Sequence, residues 1–260
     1  MPFADVNEQS LYYEDSGGDG PAVLFSHGFL MGHDMWAHQV AALSPQYRVV
    51  TYDERGWGQT TWTEPFTFWD MADDAVGLLD NLGIDQAVFG GMSQGGFLVL
   101  RAALQTPDRV RGLILVDTHA RAFNDEELAG FGALFDALET SGWSEEMIAT
   151  WYGFLFGPGY DDPYWAGKWR SRSPSAIAPA RACLFGREDL TDRLSEITCP
   201  VMIVHGQDDA GIPLSDGQAM AAGLPNVVDF LTVPGAGHSP NVEKPEIVNP
   251  AIHSFLDGLS

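Results

Sequence analysis

Short apolar runs alternate with longer amphipathic stretches along most of the chain. Runs rich in Val, Ile, Leu and Phe, bounded by turn residues, predict β-strands. They lie at Phe3–Val6, Ser10–Glu14, Ala22–Ser26, Arg48–Tyr52, Ala87–Gly90, Leu113–Val116, Val201–Val204 and Val228–Val233. The first two are separated by Asn7-Glu8, which suits a hairpin turn. Most of the others are apolar on both faces, which is typical of parallel strands covered by helices.

Helical periodicity fills the intervals between these runs. The predicted helices are Met35–Leu43, Trp69–Leu82, Gln94–Gln105, Leu214–Ala222 and Glu246–Leu256. In the second of them, Met71, Ala75 and Leu78 recur at the spacing of one helix face. The alternation predicts an α/β fold with a mostly parallel eight-stranded sheet flanked by helices.

One stretch, residues 118–198, breaks this alternation and is too long for a plain strand-to-helix connection. It is rich in aromatic residues: Phe123, Phe131, Phe135, Trp143, Trp151, Tyr152, Phe154, Phe156, Tyr160, Tyr164, Trp165 and Trp169. We predict that it is a mostly helical cap inserted into a core formed by residues 1–117 and 199–260. Many of its aromatics are expected to pack on one another.

The net charge of −23, from 36 acidic and 13 basic residues, narrows the range of partners. Such a surface repels phosphate backbones and anionic lipid, so neither nucleic acid nor a membrane is an expected partner. The two cysteines, Cys183 and Cys199, fit neither a zinc motif nor a disulfide framework. With no leader-like or membrane-spanning pattern, a cytoplasmic location is the expectation.

Gly91-Met92-Ser93-Gln94-Gly95 joins a predicted strand to a predicted helix. A nucleophilic serine needs its hydroxyl on a sharp turn of this kind, where flanking glycines relieve crowding. The five residues alone are only suggestive, but the strand before them and the helix after them make Ser93 a strong candidate nucleophile.

Ser26-His27-Gly28-Phe29 closes another predicted strand. In this arrangement the backbone N–H groups of Phe29 and Gln94 would point at one spot and form an oxyanion hole. An ordinary turn with a buried histidine is the alternative, and the neighbouring serine turn favours the functional interpretation.

Two further segments supply a candidate acid and a candidate base. Asp208-Asp209 follows a strand, so either carboxylate can share the rim of the sheet with Ser93. His238 lies in a Gly- and Pro-containing loop after the last strand, which indicates an exposed position rather than a core position. Among the other histidines, His205 is expected to be structural.

The order Ser93, Asp208 or Asp209, His238 is that of α/β-hydrolase catalytic triads. The chain resembles the α/β-hydrolase superfamily over nearly its whole length outside residues 118–198. The resemblance includes the loop 53–60, where Thr60 replaces a usual serine. It implies that Asp209, in the fourth place of Gly-x-x-Asp, is the acid. It also implies acyl transfer from an ester or lactone to water through an acyl-enzyme, without a metal or cofactor.

The nucleophile position holds serine, whereas epoxide hydrolases and haloalkane dehalogenases of this fold carry aspartate, so neither activity is expected. Carbon–carbon bond hydrolysis and a cofactor-free perhydrolase or haloperoxidase activity use the same triad and stay open, as does a non-catalytic small-molecule receptor. The aromatic insertion indicates an apolar substrate. The residues expected to line its pocket are His27, Met31, Met92, His119, Trp143, Trp151 and Phe154.

Overall fold

A computed structural model describes residues 2–62 and 64–259. Its strands are β1 (Phe3–Val6), β2 (Gln9–Asp15), β3 (Ala22–Ser26), β4 (Arg48–Tyr52), β5 (Ala87–Met92), β6 (Val110–Val116), β7 (Val201–Gly206) and β8 (Val227–Val233). They form one sheet in the order β1-β2-β4-β3-β5-β6-β7-β8. The pairs β1–β2 and β2–β4 are antiparallel, and all others are parallel. This confirms the predicted mostly parallel eight-stranded sheet.

The first hairpin turns at Asn7 and Glu8, whose φ angles are 46° and 67°. Two consecutive positive φ values twist the chain in the sense that a tight hairpin requires. Strands β3, β5 and β7 are buried along their entire length. Their apolar character on both faces is therefore explained by helices packed on the sheet.

Ten α-helices accompany the sheet within the described part of the chain. They are α1 (Ala37–Leu43), α2 (Phe68–Asn81), α3 (Gln94–Gln105), α4 (Asp125–Ser141), α5 (Glu145–Leu155), α6 (Pro163–Arg170), α7 (Ala178–Phe185), α8 (Leu214–Gly223), α9 (Pro240–Glu243) and α10 (Pro245–Asp257). In α2, Thr67 and Asp70 form a capping box that fixes the first turn. None of the helices in residues 2–62 and 64–259 is both long and apolar enough to cross a bilayer.

Helices α4 to α7 all lie between β6 and β7, in the segment that interrupts the alternation. Asn124 caps α4 through Glu127, and Asp162 caps α6 by accepting from the N–H of Tyr164. Aromatic residues of these helices and of the connections between them pack against one another, as in the stacked pairs Trp143–Trp169 and Phe156–Tyr160. The segment therefore has an aromatic core of its own.

Some boundaries differ from the predicted ones because strand pairing continues past the apolar runs. Strand β6 begins at Val110 rather than Leu113, since Val110 pairs with Ala87. Strand β5 continues to Met92, which pairs with Val116. The helix predicted from Met35 begins as a 3₁₀ turn, His33–Trp36, before α1.

Candidate active site

Ser93 occupies the sharp turn between β5 and α3, with φ 50° and ψ −111°. A non-glycine residue rarely adopts a positive φ, so surrounding contacts must hold it there. The N–H of Ser93 donates to the carbonyl of Val116 at 2.8 Å, and its own carbonyl accepts from the Thr118 hydroxyl at 2.9 Å. These bonds connect the turn to the end of β6 and fix its strained conformation.

The two glycines of the turn are required by the packing around them. A Cβ on Gly91 would lie 2.3 Å from the carbonyl oxygen of Gly95, and one on Gly95 would lie 2.3 Å from that of Ser26. Neither neighbour is a flexible side chain that can move away. Glycine at both positions therefore allows β5, α3 and the end of β3 to meet at Ser93.

Phe29 follows β3, and Gln94 is the first residue of α3. Within the described residues, neither backbone N–H has an acceptor. His27 anchors the turn between His27 and Phe29, because its Nε2 accepts a hydrogen bond from the N–H of Glu54 at 3.1 Å. Burial lowers the pKa of His27 to about 4, so it is neutral and structural. Both N–H groups are thus unengaged at the serine turn.

His238 lies in the loop after β8 as predicted, but it is buried rather than exposed, because it packs against Gly211 and Asp209. Its Nδ1 is 2.7 Å from Oδ2 of Asp209. The other oxygen of Asp209 accepts from the N–H groups of Gly211 and Ile212, at 2.7 and 2.9 Å. Burial alone would raise the pKa of Asp209, but His238 and these donors hold it below its usual value. Asp209 therefore stays ionised beside the imidazole.

Asp208 occupies a different environment from Asp209. Its side chain is exposed, whereas the Asp209 side chain is fully buried. The structure therefore brings Asp209, and not Asp208, to His238.

Asp117 is a second carboxyl group buried beside Asp209. It has φ 43°, and its Oδ1 accepts from the N–H of Gly206 at 2.8 Å, while its Oδ2 has no partner in the described residues. Oxygen atoms of Asp117 and Asp209 lie within 4.8 Å of each other and of a His205 ring nitrogen. His205 itself faces the carbonyl of Ile212 at 2.9 Å, consistent with its expected structural role. Burial, followed by the charge of Asp209, raises the pKa of Asp117 well above its usual value.

This raised pKa predicts a pH-dependent effect of Asp117→Asn on stability. The folded state holds a proton that the unfolded chain releases above about pH 4, so wild-type stability falls as pH rises from there toward the folded pKa. An amide needs no such proton and can still accept from Gly206. We expect Asp117→Asn to match the wild type near pH 4 and to exceed it by up to about 1.4 kcal/mol per pH unit above that. Urea unfolding at pH 4 to 7 measures the difference, and a pH-independent difference would contradict the assignment.

Ser93 and His238 line one cavity with a mostly aromatic wall. The other residues that line it are Phe29, Phe97, His119, Phe123, Phe131, Phe135, Trp151, Phe154, Leu155, Leu184, Arg187, Gly211 and Ile212. Most of its aromatic side chains come from α4, α5 and the segment before α4. The cavity therefore offers an apolar surface directly beside the serine.

His119, Trp151 and Phe154 lie along this cavity, but four other expected pocket residues do not. His27 is buried beneath the turn that it supports. Met92 is fully buried because it points toward Gly28, where its sulfur fills the space of a Cβ. Met31 lines a separate polar cleft with Lys168 and other residues. Trp143 donates to the Arg172 carbonyl at 2.8 Å, away from the serine.

Arg187 and Phe97 line the cavity although neither is among the pocket residues predicted from the sequence. Phe97 lies one turn into α3, where its periodicity resembles that of core residues. Arg187 stands alone after α7, and no motif marks it. The cavity also contains three aromatic residues of the segment 118–198, Phe123, Phe131 and Phe135. The sequence pattern does not show which aromatic residues of that segment face Ser93.

The fold and the site geometry define an α/β hydrolase. A family model described as the alpha/beta hydrolase fold matches residues 21–245. The chain belongs to this family and is an enzyme of the α/β-hydrolase class.

Individual proteins similar to this chain are named for several different enzyme activities. The chain is 30% identical over 232 residues to 3-oxoadipate enol-lactonase 1 of Acinetobacter baylyi, with 88% of this chain and 85% of the relative covered. It is also 30% identical over 268 residues to a non-heme chloroperoxidase of Streptomyces lividans, covering 95% and 96%. A malate-bound thermophilic esterase of Thermogutta terrifontis superposes with a TM-score of 0.88, at 31% identity and with 99% and 98% covered.

Proposed function

We propose that the protein is a serine hydrolase that cleaves a carboxylic ester or lactone of an apolar small molecule through an acyl-enzyme intermediate. The observation that carries the proposal is the 2.7 Å contact between His238 and the buried Asp209, with His238 lining the same cavity as Ser93. The lactonase and esterase names of similar proteins support the same reaction class.

In the first half of the reaction, the Ser93 hydroxyl attacks the substrate carbonyl while His238 Nε2 takes its proton. Asp209 holds the Nδ1 proton of His238, which leaves Nε2 as the basic nitrogen, and it stabilises the imidazolium that forms. The tetrahedral intermediate collapses, the C–O bond breaks, and His238 returns the proton to the leaving alcohol. In a lactone the leaving oxygen stays attached to the acyl group.

In the second half, a water molecule takes the place of the alcohol. His238 accepts one of its protons as the water oxygen attacks the acyl carbonyl, and the proton then returns to Ser93 as the carboxylic acid leaves. In both halves the N–H groups of Phe29 and Gln94 would donate to the negative oxygen. The start of α3 adds a favourable dipole at the same place.

We propose further that residues 118–198 form a cap that selects the substrate. Helices α4 and α5 contribute Phe131, Phe135, Trp151 and Phe154 to the cavity, which supports this role. Aromatic side chains provide a large apolar contact area for a small ligand. The cap therefore favours substrates with an apolar body next to the scissile carbonyl.

The perhydrolase alternative is supported by the names of similar proteins, among them the chloroperoxidase. Hydrogen-peroxide-dependent halogenation that exceeds ester hydrolysis would favour it. Rapid turnover of a p-nitrophenyl ester would exclude a receptor without catalysis. Both assays need only the purified wild-type protein.

The proposed setting is the cytoplasm. Cys183 and Cys199 are unpaired in the structure, as is usual for proteins of a reducing compartment. The proposed partners are the small-molecule substrate and water. The net charge of −23 opposes binding to polyanions such as nucleic acid or anionic lipid.

The aromatic cavity predicts a preference for longer acyl chains. Each additional methylene that the cavity buries contributes about 0.8 kcal/mol, or nearly fourfold in kcat/KM, until the cavity is full. Phe154→Ala enlarges the cavity and should move the optimum to longer chains. Steady-state kinetics on p-nitrophenyl esters from acetate to octanoate measure this profile.

Phe156→Ala is the matched control, since Phe156 is buried against Tyr160 and Trp165 and does not line the cavity. It should lower the melting temperature and keep the wild-type chain-length profile. A wild-type profile that is flat, or that falls from acetate onward, would mean that the cap aromatics pack on one another without binding substrate.

A further inference from the structure

One cationic side chain, Arg187, lies in the wall of this largely aromatic cavity. Only 6% of Arg187 is exposed, although the residue follows α7 in an irregular connection. It lines the cavity together with Ser93, His238 and His119. Arginine is almost never buried to this extent unless a partner compensates its charge.

The contacts of Arg187 satisfy only part of its hydrogen-bonding capacity. Its Nη1 donates to the carbonyl of Leu184 at 2.8 Å, and its Nη2 lies 3.5 Å from His119 Nε2. Its Nε is buried without a partner. The guanidinium carbon lies 3.7 Å from the ring centre of Phe123. A guanidinium has five N–H donors, so several remain free in this cavity.

Arg187 forms no ion pair with any Asp or Glu in residues 2–62 and 64–259. Glu127 is the acidic side chain whose charge favours the protonated form of Arg187, and it is itself paired with Arg121 at 2.6 Å. Burial, and then the charge of Arg121, lower the pKa of Arg187 to about 9, so the side chain stays mostly protonated at neutral pH.

His119 supplies a second polar group at the same place. Burial, followed by the charge of Arg187, lowers its pKa to about 3, so the ring is neutral. Its Nε2 faces the guanidinium, which leaves the proton on Nδ1, and Nδ1 is buried without a partner. The cavity wall thus holds a cation whose Nε has no acceptor within the described chain, and a neutral N–H donor, Nδ1 of His119, that has none there either.

We propose that Arg187, assisted by His119, binds a carboxylate of the substrate, so that the enzyme acts on an ester or lactone whose acyl chain ends in an acid group. This inference rests on the proposed function and names the substrate class of the same site. The scissile carbonyl lies at Ser93, the apolar body lies against the aromatic wall, and the carboxylate meets the guanidinium. A planar guanidinium and a carboxylate match in geometry, and charge-assisted bonds of this kind are strong in an apolar setting.

The test compares two esters that differ only in charge. The probes are mono-p-nitrophenyl adipate, pimelate and suberate, each beside its methyl-capped diester. Their chains are long enough to limit attack of the free carboxylate on its own ester, and the spontaneous rate is subtracted. The ionic strength is fixed, because the charge of −23 repels the anionic probe in a salt-dependent way. We expect the best free acid to exceed its methyl ester roughly 10- to 100-fold in kcat/KM.

Arg187→Met should abolish this preference, mainly through a higher KM for the free acid, and Arg187→Lys should retain part of it. Arg181→Met is the matched control: Arg181 also stacks on rings of the cap, but it is paired with Asp136 and does not line the cavity. It should keep the wild-type ratio of acid to methyl ester. If Arg187→Met does not fold, stronger inhibition of the wild type by adipate than by dimethyl adipate supplies the same information.

The outcomes separate the two proposals. Turnover of both esters by the wild type with a ratio near or below one would overturn the carboxylate assignment and leave the serine hydrolase intact. An unchanged ratio in Arg187→Met, with a lower melting temperature, would show that the arginine only stabilises the cap. Absence of turnover on every ester would overturn the proposed function and the inference that rests on it.

Discussion

Replacing Ser93 with alanine is expected to lower kcat by about 10⁵ to 10⁶ while leaving the protein folded. In the proposed mechanism the hydroxyl oxygen of Ser93 forms the acyl-enzyme, and its neighbours on the turn, Met92 and Gln94, offer no nucleophile to take its place. Its removal leaves the remaining cavity able to bind substrate, so KM should change far less than kcat. Steady-state kinetics with a p-nitrophenyl ester, alongside thermal unfolding, measure both effects.

Ser239→Ala is the matched control for this substitution. Ser239 follows His238 directly and is fully buried, but its hydroxyl donates to the Leu155 carbonyl at 2.7 Å. Its loss should lower the free energy of unfolding by about 1 kcal/mol and leave most of the activity. Substantial activity in Ser93→Ala, or an equal loss in Ser239→Ala, would show that Ser93 is not the nucleophile.

Asp209→Asn should cost about 10⁴ in turnover, the second-largest effect that we expect. The amide side chain presents a donor where His238 needs an acceptor, so the histidine is held in the wrong tautomer and its imidazolium is no longer stabilised. The N–H groups of Gly211 and Ile212 also lose the negative charge to which they now donate. Kinetics at saturating substrate isolate the effect on turnover.

The neighbouring residue provides the comparison for this prediction. Asp208→Asn alters an exposed side chain and should change kcat less than tenfold. Reversed losses in the two variants would mean that Asp208 is the acid, despite the geometry. Two active variants would mean that the acid lies elsewhere, and the buried Asp117 would then be the next residue to replace.

The parts of the site that depend on local geometry are visible in the sequence. The turn at Ser93 needs a glycine on each side of the serine, and the structure shows which backbone atoms would collide with any larger residue at Gly91 and Gly95. The strands that carry the turn have apolar residues on both faces because helices cover them. Such features are encoded within a few consecutive residues, so pattern and spacing are enough to predict them.

The parts that depend on side-chain direction are not visible in the same way. A sequence pattern cannot tell two adjacent aspartates apart. Only the structure distinguishes the buried Asp209 side chain from the exposed Asp208. Met92 adjoins Ser93 in sequence, but its side chain points toward Gly28, in the turn between His27 and Phe29. Neighbouring residues in an extended segment point to opposite sides, so proximity in sequence does not imply a place in the cavity.

The burial of Arg187 is not predictable from the sequence for a different reason. An isolated arginine in an acidic chain is expected on the surface, where it would pair with one of the many carboxylates. Its burial among Phe97, Phe123 and His119 results from contacts between segments that are distant in sequence, and no local signal encodes that packing. The same holds for Asp117, whose proximity to Asp209 comes from the pairing of β6 with β7.

The central claim is that Ser93 forms a covalent acyl-enzyme, and labelling with a serine-directed phosphonate tests it most directly. After incubation with an alkyl p-nitrophenyl phosphonate, proteolysis and mass spectrometry locate the added mass. We predict one modified peptide containing Ser93, loss of esterase activity in proportion to labelling, and no labelling in Ser93→Ala. Modification of a different residue that tracks the loss of activity, or full activity after Ser93 is modified, would contradict it.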